Sequence, residues 1–396
     1  MSRLVRFWVK AMTSACVMSS IATVGWSQSL TWLGIIDNRS YSKAYGVSAN
    51  GSVVVGEVSG GWYRGFRWTA TEGMRSLGTL PSGGHSYARG ISADGSVIVG
   101  YAYNSAGRYR AVRWTPSGIQ VLPTLSGDRD CYAHAVSSNG LVVVGYALNA
   151  QYESRAVRWS ATGEIQDLGV LPNRTYSKAH AVSADGLVVV GESGFRAFRW
   201  TEAGGMQDLG TLGNNCCSYA FGVSADGSVV VGLSGGSAFR WTEETGMQDL
   251  GPGFAYGVSA DGSVVVGRMG REYRAFRWTA TRGMEDLNIT YASLLTDGSV
   301  LEEARAITPD GRYIVGWGTN ATTRRREAFL LDTGPICRAH NGDVDNNRCI
   351  NDADLLAVLF AFGNTGSNLG RVDVNCDNAV DDADLLQVLF NFGSGC

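Results

Sequence analysis

Between residues 30 and 331 the hydrophobic positions fall into short runs that recur in a fixed order. One unit begins with Tyr256-Gly257-Val258-Ser259 and crosses the polar Ala260-Asp261-Gly262-Ser263. It then enters the apolar run Val264-Val265-Val266, closed by Gly267. Arg274-Ala275-Phe276-Arg277-Trp278 and Met284-Glu285-Asp286-Leu287 follow. The closing glycine returns at Gly56, Gly100, Gly145, Gly191, Gly232, Gly267 and Gly316. The spacing runs from 35 residues (Gly232 to Gly267) to 49 (Gly267 to Gly316). A period near ~40, with several short apolar runs per unit, points to a propeller or a solenoid.

Each unit resolves into four strands. The first ends in Val-Ser or a close relative, from Val47-Ser48 to Ile307-Thr308. Asn50-Gly51, Asp94-Gly95, Asn139-Gly140, Asp185-Gly186, Asp226-Gly227, Asp261-Gly262 and Asp310-Gly311 then mark tight turns. Glycine there accepts the positive φ that the turn requires. The second strand is the β-branched run, whose lack of alternation predicts burial on both faces. The third carries Phe66-Arg67-Trp68 and its copies; the last copy, Ala328-Phe329-Leu330-Leu331, loses Arg and Trp. The fourth is expected at Ser76-Leu77-Gly78 and its equivalents, ending with Asp286-Leu287-Asn288. It follows only six of the seven copies, while residues 30–35 form a lone strand before the first. Pairing that strand with the last unit would close a ring and remove exposed edges. The expected fold over residues 28–334 is an all-β, seven-bladed β-propeller of four-stranded blades.

The A-V-S-x-D-G-x-V-V-V-G and A-F-R-W segments resemble the HAF-type extracellular repeat across most of residues 30–331. Its tripeptide is altered here to His134-Ala135-Val136 and His180-Ala181-Val182. The resemblance implies a secreted or surface repeat protein and brings no catalytic residues.

Charged residues are only 17% of the chain and glycines number 53, which suits a turn-rich β protein. A net charge of −3 supplies no basic field for nucleic acid. Arg3, Arg6 and Lys10 precede an uncharged, mostly apolar or small stretch, and Gly25-Trp26-Ser27 offers a cleavage site. Residues 1–27 therefore read as a signal peptide, since the stretch is shorter than the ~20 apolar residues of a membrane span. No other segment is apolar enough to span a bilayer, so the expected location is extracellular or at the cell surface. Export permits disulfides among the eight cysteines. Cys16 leaves with the signal. Cys131, Cys216 and Cys217 form an odd set, and Cys337, Cys349, Cys376 and Cys396 allow three pairings.

After Pro335 the pattern changes. Asp343, Asp345, Asn347, Cys349, Asn351 and Asp354 occupy positions 1, 3, 5, 7, 9 and 12 of a loop. Asp373, Asn375, Asp377, Ala379, Asp381 and Asp384 repeat it thirty residues on. Alternate oxygen-bearing residues in a tight loop suit a hard cation, with a backbone carbonyl at position 7 and a bidentate carboxylate at position 12. Two calcium ions are the expected cofactors. Arg348 and Asn378 replace the usual glycine at position 6. Each loop leads into an apolar run, Leu355 to Phe362 and Leu385 to Phe392. Asn341-Gly342-Asp343-Val344-Asp345 and Val372-Asp373-Val374-Asn375 resemble the type I dockerin, over residues 341–393. That resemblance implies a small α-helical, EF-hand-like domain at 335–396, docking to a cohesin-type protein or another surface component. It places partner recognition on Asp352, Ala353, Asp382 and Ala383.

Candidate chemistry in the repeats is sparse. His134 and His180 share a repeat position with Tyr45, Arg89, Phe221, Tyr256 and Arg305. So mixed a set does not suit a metal ligand. It suits packing, or a ring at one mouth of the channel that stacks on and hydrogen-bonds sugars or peptides. Arg67, Arg113, Arg158, Arg199, Arg240 and Arg277 are expected to pair with Asp167, Asp208, Asp249 and Asp286 on the next strand. Two functions compete. One is a non-catalytic binding scaffold attached through its tail. The other is a secreted carbohydrate-active enzyme, which needs two carboxylates about 5–9 Å apart. Glu57, Asp128, Asp130, Glu153, Glu192, Glu302 and Glu303 break the repeat symmetry, and nothing in the sequence singles out two of them.

Overall fold

A computed structural model describes residues 28–36, 39–125, 129–270, 272–334, 341–345, 347, 349–365, 369–375 and 379–396. The segment 1–27 expected to be a signal, Asp128, Cys337, Cys376, Asp377 and the two position-6 residues lie outside them.

The first repeat forms an antiparallel sheet of Tyr41–Val47, Val54–Ser59, Arg64–Thr69 and Gly73–Ser76, in that order. Four-stranded sheets of the same order begin at Ser86, Cys131 and Ser177. The next two repeats share the long strand Gly246–Val258. Its first half pairs with Ser237–Thr242 and its second with Val264–Met269, giving one seven-stranded sheet. The last sheet holds Val300–Ile307, Tyr313–Asn320 and Arg325–Asp332, and Ser29–Trp32 is its fourth strand. Leu30 there lies opposite Leu331, and Trp32 opposite Phe329.

Packing between sheets explains the unbroken β-branched runs. Val53 and Val55 join a cluster with Ala88, Ile98 and Trp114 of the following sheet. Val54 joins Val315 and Ala328 of the last sheet. Alternate residues of a strand point to opposite faces, so both faces meet another sheet and both are apolar. Polar bonds add a second tie. Ser42 Oγ donates to Gly34 O (2.6 Å) and accepts the Ala328 N–H (2.9 Å). Ser86, Ser177 and Ser218 repeat the device. Cys131 takes this place in the third sheet, buried, with its thiol 3.8 Å from Pro123 O. The odd cysteine thus stands in for a serine. A backbone relay also crosses the sheets: Ala49 donates to Ala93, and so on through Ser138, Ala184, Ala225 and Ala260 to Pro309, at 2.9–3.0 Å. Proline has no N–H to pass on, so the relay stops there.

The turn glycines from Gly51 to Gly311 all have positive φ, between 72° and 81°. The hydroxyl before each turn closes it: Ser48 Oγ donates to Asn50 and accepts the Val53 N–H, and Thr308 does the same in the last turn.

Two expectations are corrected. The fourth strands lie earlier than the sequence suggested, at Gly73–Ser76, Gly118–Val121, Ile165–Asp167, Gly205–Asp208 and Gly283–Asp286. Leu287 instead opens the short helix Leu287–Thr290, capped by Asp286. The repeated arginines also do not pair with the strand-four aspartates. Asp208 is in register with Phe198, and Arg199 with Gln207, so Arg199 and Asp208 lie on opposite faces. Asp167 and Asp208 pair instead with Arg155 and Arg196, both at 3.1 Å. Arg199 and Arg240 donate through Nε to Gly227 O and Gly262 O in the next repeat's turn.

In the tail, helices Asp352–Ala361 and Asp382–Phe390 start at Asn351 and Asp381, each with a reciprocal capping box. Ile350, Val358, Val374, Val380 and Val388 form its core. The halves embrace: Ile350 exchanges backbone bonds with Gly393 and Ser394, and Val380 with Gly363 and Asn364. Cys349 and Cys396 form a disulfide, while Cys131, Cys216 and Cys217 are thiols.

Candidate functional site

Every first strand carries an extra residue at the same repeat position, and the last, Val300–Ile307, carries a second at Glu302. The register slips at Tyr45, Arg89, His134, His180, Phe221, Tyr256 and Arg305, each flanked by paired neighbours. The closing glycine of the adjacent strand lies opposite the slip. A Cβ on any of the seven glycines would sit 1.8–2.0 Å from a backbone carbonyl of the first strand. The glycine ending each apolar run is thus required by the close approach of the bulged strand. A bulge bends its strand and re-aims a side chain. Seven bulges bring seven side chains to one place: they and Tyr101 line a single cavity of about 420 Å³.

The wall is organised by stacking and by buried acids. Arg89 lies over Tyr45 (4.1 Å to the ring centre) and Arg305 over Tyr256 (4.0 Å). His134 and His180 stack with centroids 5.5 Å apart. Behind them, buried Glu57 meets Arg89 at 3.0 Å and accepts the Tyr45 hydroxyl at 3.2 Å. Arg89 Nη2 also donates to Tyr101 Oη at 2.8 Å. Glu303 meets Arg305 and Arg268, and Glu192 meets Lys178 and His180. Burial pushes the Tyr45 phenol up to about 12 against the pull of Arg89. Burial raises Glu303 despite Arg305 and Arg268. For Glu192 burial is outweighed by His180 and Lys178, and its carboxyl is lowered.

His134 Nδ1 lies 3.1 Å from Ala179 O; a carbonyl only accepts, so Nδ1 carries the hydrogen and Nε2 remains an acceptor. Burial, then the charges of His180 and Arg89, hold His134 well below its ordinary 6.5. The folded chain resists a proton that the unfolded chain takes below pH 6.5, so stability falls as the pH drops from 6.5 through the folded value. The Tm is expected to fall between pH 7 and 5, and less steeply in His134→Gln. Equal slopes in the two proteins would contradict this.

All seven side chains expected at the channel mouth share this cavity. Tyr101 was not foreseen. It directly follows a closing glycine, a column that reads Glu57, Tyr101, Tyr146, Glu192, Leu233, Arg268 and Trp317. A column so varied beside constant glycines was its available signal.

Of the symmetry-breaking acids, Glu57, Glu192 and Glu303 stand behind the cavity wall and pair with its residues, and the others that are described are engaged elsewhere. Glu302 meets Arg326, Glu153 accepts from Asn149, and Asp130 accepts the Tyr109 N–H. Among the described residues no carboxylate lines the cavity.

In the tail, Asp343, Asp345 and Asp354 bring carboxylate oxygens within 4.8 Å of one another. Asp354 is fully buried and, among the described residues, accepts backbone N–H groups from Val344, Asp345 and Asn351. Asn347 N–H turns back onto Asp343 and Asp345. Asp384 repeats the role of Asp354 toward Val374, Asn375 and Asp381. Asp352, Ala353, Asp382 and Ala383 are exposed at the two helix starts.

No protein-family model matches the chain, and no curated protein sequence matches it. The solved structures similar to it are β-propeller-type folds. TolB from Acinetobacter baumannii is 13% identical, with a TM-score of 0.40 over 74% of this chain; the chain spans 64% of that protein's length. An oligogalacturonate lyase from Vibrio parahaemolyticus is 12% identical (TM-score 0.49, 76% of this chain and 93% of that one). An oligogalacturonate lyase in complex with manganese is 14% identical (TM-score 0.49, 76% and 92%). The HAF and dockerin resemblances rest on the residues that carry them.

Proposed function

We propose that this chain is an exported, non-catalytic binding scaffold: a closed seven-bladed propeller that holds a sugar or peptide in its central cavity. A calcium-dependent tail attaches it to a protein partner of cohesin type or another surface component. Ring closure is supported by Ser29–Trp32 completing the last sheet and by Val54 packing on Val315. The observation that carries the binding reading is the convergence of seven bulged side chains on one cavity without a carboxylate. Stacked rings offer flat faces, and Arg89, Arg305, Tyr45 and the two histidines offer hydrogen bonds at their edges. Among the described residues no acid lines this space, whereas glycoside hydrolysis would call for a carboxylate pair.

The tail fits a hard cation. Asp343, Asp345, Asn347 and Asp354 would hold one calcium ion, with Asp373, Asn375, Asp381 and Asp384 in the second loop, and Cys349 and Ala379 contributing carbonyls. The ion would supply charge balance for the carboxylates of Asp354 and Asp384, which are buried without an arginine or lysine partner among the described residues. Exposed Leu356, Phe360, Leu386 and Phe390 flank the recognition residues and make a paired surface for docking.

The test uses glycan and peptide arrays probed with the full chain and with a variant carrying Ala at Tyr45, His134, His180 and Tyr256. The variant is expected to lose the wild-type hits, by about 2 kcal/mol or more for each large ring removed from a binding hot spot. Unchanged hits would overturn the reading.

A further inference from the structure

The repeat treats its two rims unequally. At one rim the turns keep the Ser-x-Asn/Asp-Gly pattern, with Thr308 in the last. At the other, the loops between second and third strands vary: residues 60–63, 104–108, 149–153, 194–195, 235–236, 270 with 272–273, and 321–324. Variation confined to one face of a repeat array marks its binding face. Tyr101 lies on the second strand one residue nearer this rim than the closing Gly100, and it lines the cavity.

Four of the variable loops lift an aromatic ring into solvent. Trp62, Tyr152, Phe195 and Tyr273 are 57%, 59%, 53% and 54% exposed. Tyr152 (φ 64°), Phe195 (66°) and Tyr273 (54°) hold the left-handed backbone that bulky residues avoid. Two sister loops fill that conformation with glycine, Gly107 (73°) and Gly235 (59°). A ring that is exposed and strained where glycine would be relaxed contributes little to the fold; such strain collects at ligand clamps. Each ring is braced from one side: Trp62 by His85, Tyr152 by Arg129, Phe195 by Tyr176 and Tyr273 by Arg268. From Trp62 the contacts run inward through His85 (5.0 Å), Tyr87 (6.4 Å) and Tyr101 (4.6 Å) to the cavity wall.

Charge separates the rims as well. Arginine is in excess at the aromatic rim, where Arg39, Arg64, Arg129, Arg174, Arg268 and Arg324 stand beside Asp130, Glu153 and Glu272, whereas the turns opposite carry Asp94, Asp185, Asp226, Asp261 and Asp310 with Arg312. We propose that the aromatic rim binds a carboxylate-bearing polysaccharide, whose sugar rings stack on Trp62, Tyr152, Phe195 and Tyr273 and whose chain reaches into the cavity. Spaced flat rings set between guanidinium groups match alternating sugar faces and carboxylates, which arginine forks grip bidentately. The last step, entry into the cavity, rests on the cavity being the ligand site; the rim itself does not.

The test is affinity electrophoresis of the full chain in gels cast with alginate, dextran sulfate or neutral dextran. A Tyr152→Gly, Phe195→Gly, Tyr273→Gly triple variant and the four-alanine cavity variant run beside it. Alginate is expected to retard the wild type, dextran sulfate less and dextran not at all. The triple variant should bind alginate at least about tenfold more weakly while melting no lower than wild type, because glycine relieves the left-handed strain. Undiminished alginate binding by the triple variant overturns the inference, as does equal retardation by dextran sulfate or none by alginate. Loss in the cavity variant alone leaves the cavity reading standing without the rim. Loss in the triple variant alone does the reverse.

Discussion

Gly145→Ala is expected to destabilise the chain by ~3 kcal/mol or more, at the severe end of single substitutions. The added Cβ would lie 1.9 Å from Tyr132 O and 2.9 Å from its carbonyl carbon. The obstacle is backbone, locked by pairs on both sides of the bulge, Ala133 with Gly145 and Ala135 with Val144. No side-chain rotation relieves it. The strand must either retreat, losing the inter-sheet packing of Val143 and Val157, or give up the bulge and turn His134 out of the cavity. Gly163→Ala is the control: its φ is +87° but nothing lies within 4 Å. That variant should lose only ~1 kcal/mol from the strained dihedral. Guanidinium unfolding of the two variants and the wild type measures both. Similar small losses at both sites would show that the close approach is not what the closing glycine is for.

The second large effect is expected from removing the calcium proposed for the tail. At calcium a thousandfold above its Kd, a bound ion stabilises the folded tail by ~4 kcal/mol, which a chelator would withdraw. Asp354 and Asp384, each fully buried and held by backbone N–H groups among the described residues, would then face burial without a cation. The Cys349–Cys396 bridge still links the first loop to the C-terminus, so the loss should appear as loosening and not as separation of the chain. Calorimetry of the full chain with calcium, magnesium and chelator should show one transition that moves with calcium. Asp354→Asn should abolish part of that shift. Identical traces in all three conditions would remove the cation from the tail.

Much of this architecture was legible because identical local problems were solved seven times in one sequence. The turn glycines, the β-branched runs and the closing glycines each have one physical cause, and repetition makes the cause visible. The seven cavity residues were legible as a column, although the reason they converge was not. A bulge leaves no residue type of its own, and only the Cβ-free position opposite betrays it. Fourth-strand bounds were misplaced because Leu77 and its equivalents look like strand centres, whereas most of these strands begin at a positive-φ glycine, before methionine at Gly73, Gly205 and Gly283 and before isoleucine at Gly118. The Arg–Asp pairing failed for a register reason: a shift of one residue reverses the face, and sequence spacing alone does not give register. The rim aromatics were invisible because exposed tyrosines in loops carry no signal until their backbone angles are known.

The central claim is binding without turnover at the cavity. The most direct measurement incubates the full chain with each ligand retained on the arrays and follows both complex formation and ligand integrity by mass spectrometry. The account predicts a complex whose ligand is recovered intact, and loss of that complex in the four-alanine cavity variant. Recovery of a shortened or modified ligand, abolished by the same variant, would contradict it and make the cavity an active site.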